Sequence, residues 1–491
     1  MSLTLIAGSE RVLGPCDFVQ CSAAPTGWHL PLFETVRSTL QLWLLNRFPT
    51  KAILCRWLDS PPDDGTFNGM NSVSNKASLK GKSSTSNSGR SLGAPRRITK
   101  PKLSASSPND RAQPQPVVMS LSAGQNAAPS LIIREREPEN LEFPFSSLNS
   151  TLTPNEQFFV RSHFPVPKID LKSWKLQVEG QVERCLEFGY EELTHMPTRT
   201  ITMVMECAGN SRIFLSPKVG GLQWELGAVG NAEWTGVPLM AVLREAGLKP
   251  EAVEVVLEGA DHGEIKKEPV SPGKINYARG LPLAKALSPD VLLAYQMNGE
   301  PLTPAHGYPL RAVVSGWYGM ASVKWLTRIL VIDRAFRGYF QTADYTFWER
   351  RDGLPIQLLP VGEVEVKAEI ARPALHEMVP ADAVYRMHGA AWTGESEITK
   401  VEVSTDGAKS WSAARLLGET TQYGWRLWEH YWRTPAQPGH YTIMARATDA
   451  RGRTQPIERD VHRGTYMITH IQPIEVEVRK LAAGAAESYA I

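Results

Sequence analysis

The period of the hydrophobic positions changes near Pro360, and that change divides the chain. From about Leu131 to Val331, short apolar runs of strand character mix with segments of helical spacing, the pattern of an α+β domain. Strands are predicted at Trp174 to Val178, Thr200 to Met205, Val253 to Leu257 and Ala312 to Val314. A helix is predicted over Pro238 to Ala246, where Leu239, Val242 and Leu243 share a face and Gly247 supplies a stop. Beyond Pro360 the period becomes two. Val364 and Val366, Val401 and Val403, then Tyr441, Ile443, Ala445 and Ala447 alternate with polar residues, and Asp406-Gly407 and Pro438-Gly439 mark turns. This predicts a β-sandwich of immunoglobulin-like kind. Trp411, Trp425, Trp428, Tyr431 and Trp432 crowd that region, and aromatics serve cores and interfaces alike, so the pattern leaves both uses open.

Composition sets the outer limits. The 491 residues are too many for one core and predict two domains plus an extension. Asp59 to Pro116 is dominated by Ser, Asn, Pro, Gly and Lys, with little apolar area to offset ordering entropy. The expected division is therefore 1–118 as a disordered, low-complexity extension, 119–345 as the first domain, 346–359 as a turn-rich linker and 360–485 as the sandwich. Met119-Ser120-Leu121 looks like a natural start, which reads the upstream part as a gene-model artefact. The formal charge of +2, from 53 basic and 51 acidic side chains, gives no global field for nucleic acid or an anionic membrane. No apolar run approaches the roughly 20 residues that cross a bilayer. Five scattered cysteines lack zinc or disulfide-scaffold spacing, and no export signal is recognisable, so a reducing, cytoplasmic setting is expected.

Any anion preference must then be local. Glu206-Cys207-Ala208-Gly209-Asn210-Ser211-Arg212 follows a predicted strand, so Cys207 sits where strand gives way to loop, with Gly209 and Asn210 permitting the turn. Alone, Cys207 reads as a buried cysteine acting as a small hydrophobe. Other loops change that reading. In Phe158-Phe159-Val160-Arg161-Ser162-His163, Arg161 and His163 share a face of an extended run. Pro304-Ala305-His306-Gly307-Tyr308-Pro309-Leu310-Arg311 repeats the pairing of His with Arg, and Ser322-Val323-Lys324-Trp325 adds a cation. Cations converging from separate loops suit a phosphorylated ligand, held by charge-assisted hydrogen bonds.

These four runs, in this order, resemble the sulfite oxidase family of molybdopterin enzymes, and the likeness extends over roughly Pro129 to Val478. The resemblance implies a mixed α+β molybdopterin-binding domain followed by a dimerisation domain, hence a homodimer. It implies Cys207 as the molybdenum ligand, with Phe159, Val160, Arg161, Ser162, His163, Asp261, His306, Arg311, Ser322, Val323 and Lys324 along the cofactor. Arg161, Arg212, Tyr345 and Arg463 would surround a small oxyanion. It also implies oxidation of sulfite to sulfate, with electrons passed to an external acceptor, a cytochrome or oxygen. Where the family often has two arginines after Cys-Ala-Gly-Asn, Ser211 here precedes Arg212.

No Cys-x-x-Cys-His or His-Pro-Gly-Gly haem motif occurs, so no haem is expected on this chain. A nitrate reductase-type core shares the site logic, but the haem, flavin and nicotinamide modules of eukaryotic nitrate reductases are not evident. A sulfoxide reductase-type subunit would lack residues 360–478. A non-catalytic binding protein with a decayed site is the reading from another class. It gives no physical reason for Cys207, Arg161, His306 and Lys324 to occur together.

Overall fold

The computed structural model describes residues 130–350 and 353–480; the 1–118 extension, the Met119 start and the end of the 360–485 segment lie outside them. The predicted strands form, and they belong to two five-stranded sheets. In the first, Val229–Pro238 pairs antiparallel with Arg199–Glu206 on one side and Val291–Met297 on the other, and Arg311–Val314 also joins Val291–Met297. In the second, Leu326–Ile332 lies parallel to Leu176–Gly180 and antiparallel to Glu254–Gly263. Strand Val229–Pro238 escapes the sequence pattern because seven of its ten residues, on both faces, are buried, so no continuous polar face betrays its period.

Helices are few and short. The predicted one forms as Leu239–Ala246, buries Leu239, Val242, Leu243 and Ala246, and stops at Gly247 with φ of 72°, which a residue without Cβ adopts freely. With eight residues it is the longest α-helix described, so the domain expected as mixed α+β is strand-rich with few helices.

The stretch expected as a linker contributes a strand pair, with a helical turn just before it. Tyr339–Thr342 form one helical turn, and Thr346–Glu349 pairs antiparallel with Gln357–Pro360. After it come a four-stranded sheet (Lys367–Arg372, Val384–Trp392, Arg426–Arg433, Arg415–Leu417) and a five-stranded one built around Gly439–Asp449. Ala368, Ile370, Met387 and Trp428 of the first meet Val401, Ile443, Ala445 and Val476 of the second in one buried cluster, so the two sheets enclose a common core. Trp425, Trp428 and Trp432 are buried while Tyr431 is 44% exposed, which assigns most of the aromatic concentration to the core. Ala371, Ala390, Trp392 and Trp425 share a second buried cluster with Val204, Ala208 and Val314. The two-sheet unit is thereby packed directly behind the strand that leads to Cys207. Among the described residues, no helix is long and apolar enough to cross a membrane.

Candidate cofactor and anion site

One cavity gathers the sequence-predicted loops. It encloses about 640 Å³ of free space, its open mouth included. Phe159, Val160, Arg161, Ser162, His163, Cys207, Asp261, His306, Arg311, Ser322, Lys324 and Tyr345 all line it. The sequence did not single out Met205, Tyr277 or Met320, which line it too. Val323 is buried but its side chain is not on the wall.

Strand Arg199–Glu206 delivers Cys207 to this cavity. The Cys207 N–H donates to Ala228 O at 2.8 Å, and Asn210 N–H returns to Cys207 O at 2.9 Å. The turn differs from the expectation in one respect: Ser211, not Gly209 or Asn210, takes the left-handed conformation, with φ of 70°. Gly209 matters for space, because a Cβ there would overlap the Arg212 guanidinium.

The cations are set by backbone carbonyls. Arg311 donates from Nη1 to His306 O and from Nη2 to Ser322 O, both at 3.1 Å, under the face of Trp234. Lys324 Nζ donates to Ser162 Oγ at 3.0 Å and Ala305 O at 2.8 Å, which leaves one ammonium proton for a ligand. Gly307, at φ of 104°, lets these two segments close up, since a Cβ there would sit 3.1 Å from the Cβ atoms of Arg311 and Lys324. Ser322 Oγ accepts from Val314 N–H at 3.0 Å and keeps its own proton to donate. Arg161 is held by Asn140, a buried residue that the sequence did not flag. Asn140 Oδ1 accepts from Ser162 N–H at 2.9 Å and from Arg161 Nη1 at 3.3 Å.

Burial tunes these groups. It pulls Arg311 down to about 9, which leaves the guanidinium charged at neutral pH. Burial, then Lys324 and Arg311, push His306 down to about 3, and burial with Arg161 and Lys324 holds His163 neutral as well. In the Asp261 and Lys324 pair, burial raises the carboxyl and lowers the ammonium. The Tyr345 hydroxyl is raised by burial, stays protonated, and shares a 2.8 Å hydrogen bond with His163 Nε2. Tyr345 and Trp325 both hold positive φ, 53° and 51°, conformations costing about 1 to 3 kcal/mol that cluster at functional sites.

Two expected oxyanion residues are not on the wall. Arg463 pairs with Glu365 at 2.7 Å and Asp460 at 3.4 Å and lies over Phe347, so its charge is already paired. Arg212 donates to Thr465 O at 3.1 Å and Leu222 O at 2.8 Å, and its guanidinium sits 5.2 Å from the Tyr466 ring centroid. Tyr466 stacks on Tyr345 with centroids 4.8 Å apart and bonds to Asp344, so Arg212 reaches the site through an aromatic pair. Tyr466 carried no sequence signal, because its partners lie more than a hundred residues away.

The lining therefore holds Arg161, Arg311 and Lys324 against one carboxylate, Asp261, whose Oδ1 is buried without a hydrogen-bond partner. Such an excess calls for a polyanionic ligand with at least one donor. Among the described residues, no group of three or more His, Cys, Asp and Glu is placed to hold a metal ion. One thiol and the weaker thioethers of Met205 and Met320 are what the wall offers a soft metal, too few for a bare ion, so a metal here would arrive already chelated. A phosphorylated, metal-chelating cofactor fits these residues, and that defines a class: a molybdopterin-type oxidoreductase.

Comparison with known proteins agrees. Residues 163–340 match the oxidoreductase molybdopterin binding domain, and residues 360–467 match the Mo-co oxidoreductase dimerisation domain. The chain is 35% identical to sulfite oxidase of Gallus gallus over 349 residues, covering 67% of this chain and 73% of that one. It is 31% identical to an NADH nitrate reductase of Solanum lycopersicum over 360 residues, covering 65% of this chain and 38% of that one. Among solved structures, the sulfane dehydrogenase SoxCD of Paracoccus pantotrophus superposes with a TM-score of 0.60 at 27% identity, covering 77% of this chain and 96% of that one. The chain belongs to the sulfite oxidase family of molybdopterin-dependent oxidoreductases. It spans 58% of the mitochondrial sulfite oxidase of Drosophila melanogaster and 62% of that of Rattus norvegicus.

Proposed function

We propose that this protein oxidises sulfite to sulfate and passes two electrons to an external acceptor. The observation that carries the reading is the shared wall of Cys207, Arg161 and Tyr345 in the same cavity as Arg311, Lys324 and His306. His163, Asp261, His306, Arg311, Ser322 and Lys324 would hold the pterin and its phosphate, and the Cys207 thiolate would be the protein's ligand to molybdenum. When bound, that group supplies the oxygen transfer and takes up the electron pair released as water and sulfite become sulfate and two protons.

The chain's own residues bind and orient the anion. Arg161, desolvated and fixed by Asn140, offers charge-assisted hydrogen bonds worth about 1.5 to 3 kcal/mol each. Tyr345 adds a neutral donor, and Phe158, Phe159 and Val160 keep water from that side. The two-sheet unit, of immunoglobulin-like kind in this reading, joins two copies as a homodimer, the commonest symmetric assembly.

The test is turnover of the molybdenum-replete protein, offering sulfite and a sulfane sulfur with an artificial electron acceptor and, in parallel, nitrate and a sulfoxide with an artificial electron donor. Sulfite oxidation should dominate and should vanish in Cys207→Ser, which replaces a soft ligand by a hard one. Preference for nitrate or a sulfane sulfur refutes the substrate assignment, and undiminished turnover in Cys207→Ser refutes the site.

A further inference from the structure

Behind the Cys207 loop, on the side away from the cavity, lies a buried charged cluster that the reaction does not use. Lys367, with no exposed surface, places Nζ 2.9 Å from Glu206 Oε1, 2.9 Å from Glu369 Oε1 and 3.0 Å from Ser211 Oγ. Trp392 Nε1 donates to Glu206 Oε2 at 2.8 Å, and Ser211 Oγ lies 2.9 Å from Glu369 Oε1. Asn210 Nδ2 reaches both carboxylates, at 3.2 and 3.3 Å. Lys367, Glu369 and Trp392 come from the two-sheet unit, whereas Glu206, Asn210 and Ser211 flank Cys207.

We propose that Lys367 is a positioning residue for the molybdenum ligand: from the C-terminal unit it clamps Glu206 and Ser211, and so holds the Cys207 loop in the conformation that presents the thiol to the cavity.

Two physical points support this. Buried ion clusters add little net stability over apolar residues of the same volume, so packing alone gives no reason for a lysine and two glutamates here. Glu206 ends a strand, and side chains alternate across a strand, so fixing Glu206 on the rear face directs Cys207 to the front. The cluster also gives Ser211 a role. Its left-handed backbone turns the hydroxyl towards Lys367 and Glu369, and the cation at that spot comes from another strand.

The inference rests on the reading of Cys207 as metal ligand, and its test separates the two. Full-length wild type, Lys367→Met and the double variant Lys367→Ala/Ser211→Arg, which moves the cation to the opposite wall of the cluster, are purified with cofactor. Three quantities are measured: molybdenum per pterin after dialysis, amide exchange of the 206–211 segment against the Lys367–Arg372 and Val384–Trp392 strands, and kcat against KM. Removing residues that orient a metal ligand typically lowers metal affinity or activity 10- to 100-fold. In Lys367→Met, molybdenum retention and kcat should fall by at least tenfold, while pterin content and KM stay within threefold. Exchange at 206–211 should rise at least tenfold with the sandwich strands within twofold, and the double variant should recover most of both losses.

Unchanged exchange and metal retention in Lys367→Met overturn the proposal, as does exchange that rises equally across the sandwich, the mark of a structural role alone. If Lys367→Met does not fold, Ser211→Ala decides. It removes one hydroxyl and no charge, so faster exchange confined to 206–211 supports the proposal and wild-type exchange overturns it. Wild-type protein that binds no molybdenum would defeat the functional reading instead, and the exchange comparison would still report on the clamp.

Discussion

Replacing Asn140 by alanine perturbs the substrate side of the site while leaving every cavity-lining residue in the chain unchanged. Asn140 is fully buried and is the acceptor for both Ser162 N–H and the Arg161 guanidinium, while its Nδ2 donates to Glu135 Oε2 at 2.7 Å and Pro138 O at 2.9 Å. In Asn140→Ala the buried Ser162 N–H loses its partner, at a cost of about 1 to 3 kcal/mol, and Arg161 loses a bond of about 1 kcal/mol. Pro138 is only partly buried, so water can satisfy its carbonyl. The sum is about 2 to 4 kcal/mol, which should lower the melting temperature by several degrees.

The functional consequence is separate. If the released Arg161 forfeits half of one charge-assisted bond to sulfite, the loss of about 0.8 to 1.5 kcal/mol raises KM roughly four- to twelvefold, with kcat within threefold. Steady-state sulfite oxidation with an artificial acceptor, paired with a melting curve, reads both. A variant that melts lower yet keeps its KM within twofold would show that Asn140 does not set Arg161 for substrate, and the reasoning from burial to anion binding would fail.

Other outcomes follow from the same geometry. Arg463→Ala should leave KM for sulfite within twofold and cost less than about 1 kcal/mol, because this partly exposed arginine pairs with Glu365 and Asp460 and is not among the residues lining the cavity; a tenfold rise in KM would contradict its placement. His306, held at about 3 in the folded state against 6.5 unfolded, is neutral when native, so the unfolded chain takes up more protons between those values. Stability should be full above pH 6.5 and decline as pH falls towards 3, by roughly 4 to 5 kcal/mol from this residue at the limit. Melting curves of His306→Gln from pH 7 to 4 should be flatter than wild type, and an identical acid slope would exclude His306 as a source.

Much of this protein is legible in its sequence. Local periodicity placed the strands leading to Cys207 and along Ala312 to Val314, and the helix over Pro238 to Ala246 with its glycine stop, because those features depend on neighbours a few residues apart. The motif runs also identified the cavity wall, since Arg161, His163, His306, Arg311 and Lys324 are carried by short segments whose backbone directions are locally set. Pattern failed where burial is two-sided, as in Val229–Pro238, and where turn-rich sequence pairs with itself, as in Thr346–Glu349 with Gln357–Pro360.

What only the tertiary structure decided is which charges meet. Arg463 and Arg161 are the same residue type, yet one is neutralised by Glu365 and the other is left in a cavity with an excess of cations. Asn140, Tyr466 and Lys367 act on residues 21, 121 and 156 positions away in Arg161, Tyr345 and Ser211, separations at which sequence spacing carries no information about distance. Electrostatic energy depends on separation in space and on the water removed between groups. The sequence therefore determined the family to which this chain belongs, and the folded packing decided which residues surround Cys207 and which charges line the cavity.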